Sequence, residues 1–196
     1  MKKTNNKGFS LVELIIVIAI MAILAGAIAP ALIKYIDKSR KSNDVSSAKT
    51  IKTAIETALG NESVYELLTT GTDDYCYIDI TPGEKTTSTT TGAQSCINIR
   101  NASTEDINGK SANDLLVIAK DSIGSNIGEK TPKLKYRKAA GEAGEPKGFT
   151  GVISKAGTVY VFISTADEMT VSEDETIGVK SDNGYQICPN ICDEYQ

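Results

Sequence analysis

The chain has 196 residues and a net charge of −4, and contains neither histidine nor tryptophan. The lack of histidine removes imidazole as a general base, triad member or metal ligand. No lysine-rich or aromatic-interleaved basic stretch marks nucleic acid as a partner. Beyond its N-terminal apolar run the length leaves room for one globular domain, which after residue 42 is rich in Thr, Ser, Asn and Gly.

In chain order, "MKKTNNKG" is short, basic and polar, like the start of an export signal. From Leu14 to Ile33 there are 20 consecutive residues without a charge, the length of helix that crosses a hydrocarbon core of ~30 Å. Glu13 stands at the mouth of this run. An ionised carboxylate there costs on the order of 3 kcal/mol on insertion scales, less near the interface, so a partner for it is expected. Within the run, Pro30 removes the hydrogen bond to residue 26 and clashes with its carbonyl. Gly26 lowers helix propensity by ~1 kcal/mol. The pair predicts a bend or loosening between residues 26 and 30.

A charged collar, "KYIDKSRKSND", follows, and then "VSSAKTIKTAIETALG". Val45, Ala48, Ile51, Ile55 and Leu59 recur at helical spacing and form one apolar stripe. No turn signal separates collar from stripe, so the sequence predicts a single helix from Phe9 to about Leu59, roughly 75 Å long. Its first half is apolar all round and its second half amphipathic. Gly60 and Asn61 provide the stop.

The remainder reads as a mixed domain. "SVYELL" adds a turn of helix, and "YCYIDI" and "CINIR" are strand-like. "TPGEKTTSTTTGAQS" between them is a Thr/Ser-rich loop, either O-glycosylated or simply solvated. "SANDLLVIAKDSIG" is a short helix with Ser111 as N-cap and Gly124 as stop. "GFTGVIS" and "TVYVFIS" flank "KAG" as a hairpin. "TIGVK" and "YQIC" flank "SDNG", where Asn183-Gly184 suits a tight turn of positive φ. The fold class is α+β: a long N-terminal helix, transmembrane in its first half and amphipathic in its second, packed on a C-terminal antiparallel sheet.

Cys76, Cys96, Cys188 and Cys192 all fall in the polar part. An even count outside the membrane points to disulfides, with three possible connectivities. The sequence-local pairing is Cys76–Cys96 and Cys188–Cys192; reduced thiols are the alternative. Four thiolates suit zinc by type, but gaps of 19 and 3 residues do not match paired knuckles. Asp167, Glu168, Glu173, Asp174 and Glu175 in "DEMTVSEDETIG" are hard ligands for calcium, yet match no EF-hand spacing and read as a solvated acidic loop. No metal or cofactor is expected.

Three readings compete for residues 1–36. A secretory signal cut after "AIA", near Ala29, would place Pro30 directly after the cut and leave Glu13 at the edge of the apolar core. A plain signal anchor explains the hydrophobicity but gives Glu13 no partner. The third starts from "KGFSLVEL", which resembles the class III signal of type IV prepilins. In that family a basic leader ends in Gly, Phe follows, and Glu is fifth in the mature chain. Here those positions are Gly8, Phe9 and Glu13.

This resemblance implies a leader of residues 1–8, a membrane and filament-core helix at 9–33, its amphipathic continuation at 34–60 and a globular head at 61–196. It implies a non-enzymatic, major-type subunit that waits in the membrane and then joins an extracellular filament. Gly8 and Phe9 are the processing residues, and Phe9 becomes an N-methylated amine that pairs with Glu13 of a neighbouring copy. Gly26 and Pro30 mark where family members lose helix on packing. Implied partners are further copies of the chain, the prepilin peptidase and N-methyltransferase, an assembly platform with its ATPase, and minor pilins. The rival readings are a pseudopilin of a secretion or DNA-uptake machine, and an exported enzyme or binding protein.

Overall fold

The computed structural model describes residues 9–82, 96–128, 131–139, 141, 143–174 and 178–196. The chain divides into two compact units, Met1–Ser39 and Arg40–Gln196. Helix α1 runs from Leu11 to Leu59, as the unbroken pattern predicts, and is helical through Gly26 and Pro30.

In the second unit α1 buries Asp44, Ala48, Ile51, Ala54, Ile55 and Ala58, the predicted stripe widened by small residues. Helix α2 (Glu62–Thr69) starts at Asn61, whose side chain accepts the Ser63 and Val64 N–H groups. Two strands follow, β1 (Tyr75–Ile80) and β2 (Ile97–Arg100), and then helix α3 (Ala112–Ile127), capped by Ser111. Helix α3 does not stop at Gly124, which is buried within it; the chain leaves at Gly128, with φ +106°. Strands β3 (Gly148–Ser154) and β4 (Val159–Ser164) form the expected hairpin, turned by Gly157 at φ +79°.

The strands β5 (Ser172–Asp174), β6 (Gly178–Lys180) and β7 (Gly184–Cys188) correct the sequence reading. The predicted hairpin of "TIGVK" with "YQIC" does not form. Instead β6 pairs with β5, inside the stretch expected to be an acidic loop, and β7 pairs with β4. The sheet is antiparallel in the order β2-β1-β3-β4-β7. One face, through Ile78, Ile80, Phe149, Ile153 and Ile163, packs with the helices. The opposite face needs its own cover for Tyr77, Val152 and Phe162, and the β5–β6 region supplies it through Met169 and Val179. This burial outweighs a local turn. Gly184 serves close approach, since a Cβ there would stand 2.5 Å from Met169 Sδ. The Thr-rich residues 83–95 and Glu175 lie outside the described residues.

Asp44 is fully buried on the face of α1 that sequence reading left to the collar. Its carboxylate accepts the backbone N–H groups of Lys135 and Tyr136 at 2.7 and 2.8 Å, tying a loop to the helix. One turn earlier the Lys41 ammonium lies over the rings of Tyr136 and Tyr195, 5.1 and 5.7 Å from their centroids, and donates to the Glu194 carbonyl. Tyr195, in the terminal 3-10 turn Asp193–Tyr195, is buried against Tyr136 and Tyr185. The last residues of the chain thus close the core over α1.

The register rules out the Cys76–Cys96 bridge. Ile80 pairs with Ile97, and the Thr81 N–H extends the ladder to the Cys96 carbonyl. Cys96 therefore lies five residues along the strand from Cys76, about 16 Å away at the rise of a strand. A disulfide needs Cα atoms within ~7 Å. Strand β7 is three strand spacings from β1, about 14 Å, which also separates Cys76 from Cys188. All four cysteines are free thiols here. Burial pushes the Cys76 thiol up to about 12, and burial together with Glu194 does the same to Cys192.

Two expectations follow from this packing. Oxidatively purified protein, denatured without reductant, should show two or four titratable thiols; a count of zero would refute either the β1–β2 register or the strand order. Burial holds the Asp44 carboxyl above its ordinary 3.8, against the opposing pull of the Lys135 and Tyr136 N–H groups and the Lys135 charge. The native state therefore takes up this proton before the unfolded chain does. Relative to an Asp44→Asn variant, the wild-type protein should gain stability as pH falls through the raised value, levelling off below 3.8. Asp44→Ala, which strands two buried donors, should cost about 1–3 kcal/mol at neutral pH. Urea denaturation of the three proteins at two pH values measures both.

Candidate functional site

The sequence places its functional residues at the start of α1. Phe9 is 85% exposed, and Ser10 precedes the helix with its carbonyl accepting the Leu14 N–H at 3.2 Å. The Glu13 carboxylate reaches back to accept the Ser10 N–H at 2.9 Å. This is the returning half of a capping box, which satisfies a backbone donor that the helix cannot. An acid in the first turn also complements the helix dipole. Sequence reading missed this contact, although the spacing Ser10-x-x-Glu13 is its signature. Among the described residues Glu13 thus has a hydrogen-bond partner within its own chain but no ion pair. Gly8, the other processing residue, lies outside the described residues.

From Leu11 to Ile36 every large apolar side chain is exposed, from 40% at Ile36 to 74% at Leu11. The most apolar 18-residue window of α1 has none of its residues buried. Such a surface is far beyond the apolar patch of an ordinary soluble monomer and needs another environment. A Cβ added to Gly26 would meet nothing within 4 Å, so no contact inside the chain requires that glycine. Gly26 and Pro30 share the stretch, four residues apart, but the helix continues across both.

The other candidates do not join this end. The four cysteines belong to the head, where Cys76, Cys96 and Cys188 are buried. Asp167 pairs with Lys147 at 3.1 Å and Asp174 lies in β5. Among the described residues no group of three or more His, Cys, Asp or Glu side chains is placed to hold a metal.

The sequence profile of the prokaryotic N-terminal methylation motif matches residues 3–29. The chain carries a type IV prepilin N-terminus. The chain is 46% identical over 57 residues to the type IV major fimbrial protein FimA of Dichelobacter nodosus, covering 29% of this chain and 36% of that one. It is 49% identical over 54 residues to fimbrial protein Q of Moraxella bovis, covering 28% and 34%. It is 46% identical over 54 residues to the type IV major alpha-pilin of the same organism, with the same coverage. The matched stretch therefore spans about a third of these relatives, and no solved structure matches the chain significantly.

The capping contact separates two roles for Glu13 in such a prepilin N-terminus. Glu13→Gln keeps an oxygen that can accept the Ser10 N–H but loses the charge, whereas Glu13→Val loses both. If the chain assembles through this end, as proposed below, and the charge matters there, both variants should insert and accumulate in the membrane while forming few or no fibres. Burying an amine without its counter-charge costs roughly 3–5 kcal/mol per subunit. Electron microscopy of cells expressing each variant alone provides the readout. Wild-type fibre yield from Glu13→Gln would reduce Glu13 to a cap.

Proposed function

We propose that this chain is the structural subunit of a type IV pilus, processed after Gly8 and polymerised through α1 into an extracellular filament. The observation that carries this reading is a prepilin motif on a helix whose hydrocarbon-length first half is wholly unburied in the isolated chain. Hydrolysis of the Gly8–Phe9 amide would free an α-amine on Phe9. N-methylated and cationic, it would lie against Glu13 of a neighbouring copy once both leave the lipid. Each charge then relieves the desolvation of the other, which neither bears alone.

The same surface serves in both settings. Leu, Ile, Val and Ala face lipid while the subunit is held in the membrane, and face other copies of α1 in the fibre. The partners of this cycle are a prepilin peptidase and methyltransferase, an assembly platform with its ATPase, minor pilins and the polymer itself. The major fimbrial proteins among the relatives favour a surface pilus over a secretion pseudopilin. A cut near Ala29 would fall in the interior of α1, which argues against an exported enzyme freed there.

Intact mass of the exported chain tests this directly. The expected mass begins at Phe9 and carries one added methyl group; a start at Pro30 would reject the proposal. Gly8→Val should abolish cleavage, because the peptidase must accept the backbone at this position without a side chain. Full-length protein should then remain in the membrane and fibres should be absent.

A further inference from the structure

We infer that Lys34, Tyr35 and Lys38 form an interfacial anchor for anionic phospholipid headgroups, which sets the depth of α1 so that Glu13 rests at the opposite membrane surface. The inference rests on the reading of the unassembled subunit as membrane-resident. Glu13 and Lys34 are 21 residues apart on one uninterrupted helix. At 1.5 Å per residue their separation is about 31 Å, the thickness of the hydrocarbon core at ~30 Å. No charged residue lies between them. The span is therefore bounded by a carboxylate at one end and an ammonium at the other, with almost no slack.

The aromatic residues obey the same boundary. Between Phe9 and Tyr35 the helix has no aromatic side chain, and Tyr35 is 73% exposed. Tyrosine is enriched at the headgroup level, where its ring meets acyl chains and its hydroxyl meets water. Lys34 and Lys38 are both exposed and one turn apart, with a half-buried Asp37 between them. The segment is net positive, and lysines near a surface attract anionic headgroups. Their long stems also allow the ammonium groups to stay in the headgroup layer as the helix tilts.

The consequence is a two-way stop. Sliding outward draws Glu13 into hydrocarbon, and sliding inward draws in Lys34 and Tyr35. Before assembly the Glu13 carboxylate is thereby kept near water, with its capping bond to Ser10 intact.

The absence of tryptophan makes a single reporter possible. Full-length chain with Tyr35→Trp would be placed in phosphatidylcholine vesicles with or without phosphatidylglycerol, and its fluorescence quenched by lipids labelled at the headgroup or deep in the acyl chain. The expected result is predominantly headgroup-level quenching. Adding Lys34→Glu and Lys38→Glu should change the shallow-to-deep ratio about twofold or more with phosphatidylglycerol, and much less without it. Lys34→Gln with Lys38→Gln should fall between, with helicity by circular dichroism unchanged. An unchanged ratio in inserted protein, or equal effects in both vesicles, would overturn the anchor while leaving the pilin reading intact. Failure of the chain to insert at all would overturn both.

Discussion

An ionised carboxylate is costly in hydrocarbon, and a helix that is apolar all round is costly in water. The first half of α1 combines the two constraints, and much else in the molecule follows from them. The capping bond from Ser10 to Glu13 gives the carboxylate a hydrogen bond in the isolated chain, yet no ion pair among the described residues compensates its charge. Such a group is tolerable at a membrane surface and gains strongly from a cation wherever water is excluded. In the proposed filament that cation is the amine created by processing. On that proposal the residue would be quiet before the cut and would become an attachment point after it, without a change in the helix that bears it.

The buried core of the second unit begins late in α1. No buried hydrophobic residue among those described precedes Ala48, so the core owes nothing to the apolar span. Its hold on α1 instead begins at Lys41 and Asp44, through the two N–H bonds to the carboxylate and the stacked tyrosines around the ammonium. A buried carboxylate is an expensive fastener, but it fixes the loop at Lys135 and Tyr136 to one position on the helix. An apolar contact would permit sliding. Tyr195 then completes the enclosure from the far end of the chain, so the core depends on residues from both ends of the second unit.

What was legible in the sequence divides along physical lines. The apolar stripe, Ser111 as a cap, β1 and the β3–β4 hairpin all express local periodicity or local hydrogen bonding, and all are found where expected; Asn61, expected only as part of the stop of α1, is found as the N-cap of α2. The pairing of β6 with β5 depended on an exposed sheet face that only tertiary structure creates. The Cys76–Cys96 pairing failed for a related reason: nearness in sequence says nothing about the register that sets them five residues apart along the sheet. Asp44 was missed because one acid in a charged collar has no pattern; its partners are about ninety residues away. The assembly end was legible because its chemistry is compressed into a few consecutive residues. Even there, the contact with Ser10 was not read, because a capping box satisfies one backbone donor and leaves open which cation answers the charge of Glu13.

Gly26 and Pro30 gain meaning in this setting. In the isolated subunit the helix runs through both, while Pro30 has no N–H to offer the carbonyl four residues back. In lipid a helix is the least costly state for the other backbone groups, since nothing nearby would replace their bonds. Between closely packed copies of α1 the balance differs: side chains and backbone of neighbours compete for space, and any local unwinding will occur where the fewest bonds are lost. That place is Gly26 to Pro30, where one bond is already missing and glycine adds backbone freedom worth ~1 kcal/mol. Nothing within 4 Å crowds a Cβ at Gly26, and in the proposed assembled state close packing of copies would supply the reason for a residue without a side chain. In the proposed cycle, a helix continuous in the membrane and yielding at one defined point on packing would let the same residues meet both environments.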